Sequence, residues 1–66
     1  MSNEIAEYSK VRYVGAASRD GIARGDVGYV IENYRDGNYE VEFSRLDGTT
    51  KALVVLSKDE LEVLGT

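Results

Sequence analysis

Apolar and polar residues alternate most regularly over residues 39–43, where Tyr39, Val41 and Phe43 share one side of an extended chain and Glu40 and Glu42 the other. Successive side chains point to opposite faces of a strand, so the segment predicts a sheet with one dry face and one acidic, wet face. A strand over residues 28–34 precedes it. Between the two stand Asp36 and Gly37, a strong hairpin signal, because a type I′ turn needs the positive φ that glycine adopts freely.

The same pattern locates the other elements. Tyr8, Val11, Tyr13 and Val14, interleaved with Lys10 and Arg12, predict a first strand over residues 8–14. Residues 15–25 follow as a loop of small residues with three glycines. A connection this long in a small domain is either a functional loop or a slack cover over one end of the fold. Asp47 and Gly48 mark a second turn, and residues 51–56 a fourth strand. Its run Ala-Leu-Val-Val-Leu is continuously apolar, as in a strand covered on both faces or one that a partner covers. Ser57 and Glu60 are spaced as a capping box, which predicts one helical turn, of 3-10 type, before a short closing strand over residues 61–64.

Residues 1–7 are polar and lack turn residues, and are expected to form a flexible N-terminal arm. Residues 8–64 then make one domain. Its expected fold is all-β, a small five-stranded SH3-like barrel with one short 3-10 turn before the last strand. Closing the sheet on itself would remove the edges that make a small β protein aggregate. The expected core is Val11, Val30, Val41, Phe43, either Leu53 or Val54, and Leu61.

Composition restricts the chemistry more than the fold. A chain of 66 residues buries only ~60% of the surface its unfolded form exposes, which leaves no room for a deep cavity between lobes. The sequence has no Cys and no His. Metal ligands are therefore limited to carboxylates, which hold hard cations weakly, and neither a metal nor a cofactor is expected. The absence of Cys fits a reducing cytoplasm. No apolar run approaches the ~20 residues of a membrane span, and the start of the chain lacks the pattern of a signal peptide. A cytoplasmic, bacterial-type protein is the expectation.

Twelve acidic residues against eight basic ones give a net charge of −4. Nucleic-acid affinity comes largely from neutralising phosphates, and Lys10, Arg12, Arg19, Arg24, Arg35, Arg45, Lys51 and Lys58 are spread without a cluster. No specific nucleic-acid binding is expected. Nor can a nucleophile–base pair be built, since the hydroxyls of Ser9, Ser18, Ser44 and Ser57 have no imidazole to activate them. Glu40 and Glu42, with Glu32 across the hairpin, could cluster, but acid–base catalysis needs such a pair in a partly dry cleft, whereas an outer barrel face keeps them solvated. The Gly-Asp-Val-Gly segment at residues 25–28 is not followed by the Lys-Ser/Thr of a phosphate loop and reads as a tight turn with a close-packed Gly28.

What remains is a binding surface. The chain has five tyrosines, a residue type enriched at interfaces because its ring buries much area while its hydroxyl stays wet. Tyr39 belongs to the dry face. Tyr29 and Tyr34, near the ends of strand two, are candidates for contact with a partner, together with the acidic Glu32, Glu40 and Glu42 and with Arg19 and Arg24 of the long loop. The chain lacks the Trp and loop spacing of signalling SH3 domains, so recognition of proline-rich peptides is not expected.

The segments Gly-Asp-Val-Gly-Tyr-Val-Ile-Glu at residues 25–32, Tyr-Glu-Val-Glu-Phe at 39–43, Asp-Gly-Thr-Thr at 47–50 and residues 56–64 resemble the small bacterial proteins grouped as domain of unknown function 4926. The similarity runs over residues 8–64, with Tyr29 in place of a usual Thr. It implies an SH3-like barrel and an antitoxin or immunity role. Residues 25–31 are also similar to KOW domains, though without their basic residues. Val11 to Tyr13, residues 27–30 and residues 59–63 are similar to the E-type peripheral component of photosystem I. The expected function is a non-catalytic, monomeric module that binds another protein. The alternatives are a structural accessory component of a larger complex, of that photosystem I kind, and a KOW-like nucleic-acid-binding domain.

Overall fold

The computed structural model describes residues 4–65. It contains β1 (Lys10–Tyr13), β2 (Val27–Asn33), β3 (Asn38–Ser44), β4 (Thr50–Ser57), a 3-10 turn (Lys58–Glu60) and β5 (Leu61–Gly65). All pairings are antiparallel, and the five strands form one sheet in the order β4-β3-β2-β1-β5. The all-β architecture with a single 3-10 turn before the last strand is the expected one. The turn lies where the capping box placed it: Glu60 accepts the Ser57 N–H at 3.0 Å.

The sheet curls round one core. Val11 and Tyr13 of β1, Val30 of β2, Tyr39, Val41 and Phe43 of β3, Val54 and Leu56 of β4 and Leu61 of β5 are all buried in a single cluster. Of the two β4 candidates, Val54 points inward and Leu53 outward. Gly28 pairs with Phe43, and a Cβ on Gly28 would lie 2.5 Å from the Glu42 carbonyl oxygen and 2.9 Å from Phe43 Cδ2. This close packing of two strands requires glycine there.

Several expectations change on contact with the structure. The arm expected over residues 1–7 is packed down where it is described. Ile5 is buried in the core cluster and its N–H donates to the Tyr39 hydroxyl at 3.0 Å. An isolated apolar residue in a polar stretch carries no periodicity, so burial could not be read from it. Residues 1–3 lie outside the described residues.

The β2–β3 connection is a four-residue loop, 34–37, rather than a two-residue turn. Gly37 has the expected positive φ, at 92°, but Arg35 also adopts one, at 66°. The Asn33 side chain accepts the Arg35 N–H at 2.8 Å and supports that conformation.

The long loop is not slack. Ile22 is buried, Arg19 and Ile22 form a β-bridge, and the Tyr13 hydroxyl donates to the Ala17 carbonyl at 2.6 Å. The Arg24 guanidinium donates to the carbonyls of Val14 and Gly15. Finally, the sheet order ends at β4 and β5, which do not pair with each other, so the sheet retains two edges. The apolar run of β4 is accordingly covered on one face only, with Leu53 and Val55 exposed.

Candidate functional site

The outer face of β2 and β3 gathers five of the seven candidate residues. Tyr29 pairs with Glu42 and Glu32 with Glu40 in the β2–β3 ladder. Directly paired residues lie on the same face, so two acid-bearing rows stand side by side. Tyr34, in the loop that follows β2, donates its hydroxyl to Glu40 Oε1. That hydrogen bond, followed by partial desolvation and the charges of Glu40 and Glu32, pushes the Tyr34 phenol up to about 12. Thr50 Oγ1 donates to Glu42 Oε2 at 2.7 Å, which fixes the second carboxylate. Tyr29 and Tyr34 keep 50% and 42% of their surface exposed: each presents a ring to solvent beside a carboxylate.

A bulge creates this arrangement. Val30 pairs with Val41, but the next pair is Glu32 with Glu40, so Ile31 is an extra residue in β2. In an unbroken ladder Ile31 would face outward beside Glu40, and Glu32 would turn towards the core opposite Tyr39. One inserted residue reverses the face of everything beyond it.

Several of the protein's own cations are engaged elsewhere. Arg12 pairs with Glu62, Arg19 with Asp20 and Glu60, Arg35 with Glu4, and Lys51 with Asp26. Arg45 donates to the Thr50 carbonyl at 2.7 Å. Among the described residues, no Lys or Arg forms an ion pair with Glu32, Glu40 or Glu42. Lys10 pairs with Tyr29 across the β1–β2 ladder and therefore lies on this same face, in the row of Tyr29 and Glu42. The Lys51 ammonium holds the Asp26 carboxyl below the usual carboxylate range, and a hydrogen bond from the Ser57 N–H does the same for Glu60.

Arg19 and Arg24 are not part of this face. Both belong to the loop between β1 and β2, where Arg19 braces Asp20 and Glu60 and Arg24 ties the loop to the residues after β1. Two residues outside the seven candidates do join it. Leu53 pairs with Glu42 and Val55 with Glu40, so the exposed apolar side chains of β4 flank the two glutamates. The signal was the run at residues 52–56, but a continuous run does not tell which members face outward. Among the described residues, no pocket indents the surface and no three acidic side chains converge as they would on a metal ion.

A family model for the Domain of unknown function (DUF4926) matches residues 7–63. The chain belongs to that family. The match to the DUF4926 domain runs from just before β1 through β4 and into β5. Nothing matches among curated proteins or among solved structures. No helix among the described residues is long and apolar enough to cross a membrane.

Proposed function

We propose that this DUF4926 protein is a non-catalytic protein-binding module whose acidic outer face steers a basic partner protein onto it, in the manner of an antitoxin or immunity-type inhibitor. The observation that carries the reading is the set of Glu32, Glu40 and Glu42 on adjacent strands, without an ion-paired cation among the described residues and flanked by the exposed rings of Tyr29 and Tyr34. Like charges set directly opposite one another cost stability. A cationic partner converts that cost into attraction, and complementary charge acts first on the association rate. Tyrosines at the margin supply contact area at small entropic cost. A small acidic protein of this kind suits a basic target such as a nuclease, and cytoplasmic action follows from that target.

The test starts from affinity capture with the tagged full-length protein and identification of the captured protein by mass spectrometry. Association kinetics of the purified pair are then measured for wild type and for the double variant Glu40→Lys/Glu42→Lys at low and at high salt. The double variant should associate at least about tenfold more slowly at low salt, with the difference shrinking as salt screens the charges. Its melting temperature should stay close to that of wild type, because both side chains lie on the outer face. A wild-type association rate in the double variant would remove the acidic face as the steering surface.

A further inference from the structure

The free edge of β4 extends the acidic face. β4 pairs with β3 on one side and is the terminal strand of the sheet. Residues 52–56 carry no charge and no proline. Natural sheets usually protect such an edge with a lysine, a proline or a bulge. The one bulge here, at the Ala52 end of the β3–β4 ladder, leaves the run from Leu53 to Leu56 regular. The outward side chains of that run are Leu53 and Val55, each in register with a glutamate of β3: Glu42 beside Leu53 and Glu40 beside Val55.

We infer that the β4 edge accepts an extended segment of the basic partner as an added strand, with alternate Lys or Arg side chains laid over Leu53 and Val55 to reach Glu42 and Glu40. This inference rests on the acidic-face reading and specifies the shape of what binds there. An added strand would lie about 5 Å from β4 and about 10 Å from β3. A Lys or Arg stem can cover an apolar neighbour while its charged end reaches past it. The main-chain ladder supplies affinity, and the period-two match of apolar and acidic positions supplies selectivity. A second copy of this chain fits less well. Its own β4 would present Leu53 and Val55 again, and the one cation of that strand, Lys51, is already paired with Asp26.

The probe is a fluorescent synthetic peptide of about ten residues, alternating arginine and threonine, measured by anisotropy against the full-length protein at low salt. Two derivatives carry N-methyl groups, one on all the arginines and the other on all the threonines. Each leaves one edge of the peptide able to pair and blocks the other, while charge is unchanged. The parent should bind, and one derivative should lose at least about tenfold while the other binds like the parent. Leu53→Lys/Val55→Lys and Glu40→Gln/Glu42→Gln should each weaken the parent by a similar factor, with circular dichroism confirming that both variants fold.

Equal binding of all three peptides would overturn strand addition and leave a purely electrostatic acidic face standing. Absence of parent binding would overturn strand addition as well, with the acidic-face reading judged separately by its association kinetics. A dimer in light scattering that Leu53→Lys/Val55→Lys dissociates would show that the edge serves a second copy, and would also overturn the inference.

Discussion

Glu32 and Glu40 stand directly opposite each other in the β2–β3 ladder, brought into register by the extra residue Ile31. Two like charges in this position repel by roughly 0.2–1 kcal/mol. Glu32→Lys should therefore stabilise the domain by about that amount at low salt, and the gain should fall as salt rises. Paired urea denaturations at two ionic strengths measure both. A destabilising result would mean that Glu32 makes an attraction stronger than its repulsion from Glu40.

Gly28 and Gly37 should both resist substitution, for different reasons. A Cβ on Gly28 meets the Glu42 carbonyl oxygen at 2.5 Å, a backbone atom that can yield only by shifting β3. Gly28→Ala should cost about 1–3 kcal/mol. At Gly37 there is open space but φ is +92°, so Gly37→Ala should cost on the order of 1 kcal/mol through backbone strain alone. Replacing Gly37 by Asn, which tolerates left-handed conformations better, should recover part of that loss, whereas Gly28→Asn should be worse than Gly28→Ala. Urea midpoints for the four variants test this ordering.

Ser9 is fully buried, and among the described residues its Oγ has no hydrogen-bond partner. Its backbone is satisfied: the N–H donates to the Ala6 carbonyl at 3.2 Å, and its carbonyl accepts from the Val30 N–H at 3.0 Å. A buried polar group without a partner costs about 1–3 kcal/mol. Ser9→Ala should therefore leave stability unchanged or raise it by about 1 kcal/mol, a sign opposite to that of most core substitutions. Thermal unfolding decides it, and a clear loss would reveal a hydrogen bond made by the hydroxyl.

Tyr34 should ionise late. Its phenol donates to Glu40 and is pushed up from 10 to about 12, so the folded state favours the neutral form. That contribution is fully present below pH 10 and is lost as pH rises from about 10 towards 12. An absorbance titration at alkaline pH should lose a tyrosinate step near pH 12 in Tyr34→Phe. The stability difference between wild type and Tyr34→Phe should also shrink across the same window. A Tyr34 titrating at the ordinary tyrosine value of 10 would show that the bond to Glu40 does not persist in solution.

The family, the all-β class, the 3-10 turn and most of the core were legible in the sequence because they depend on local regularities. The period-two pattern of residues 39–43 determines which face of β3 is dry, and the spacing of Ser57 and Glu60 determines where β4 ends. The tertiary structure decided what local pattern leaves degenerate. In the run at residues 52–56 every position is apolar, so only pairing with β3 shows that Val54 and Leu56 enter the core while Leu53 and Val55 stay outside. Ile5 carries no periodicity, and its burial against Tyr39 depends on a segment distant in sequence. The composition of the acidic face was visible in Glu32, Glu40 and Glu42, but its geometry was not. A bulge is one residue of excess between two strands, and the sequence of β2 does not show that Ile31 is that residue. The extra residue turns Glu32 outward to face Glu40, because in a strand each single-residue shift exchanges the two faces.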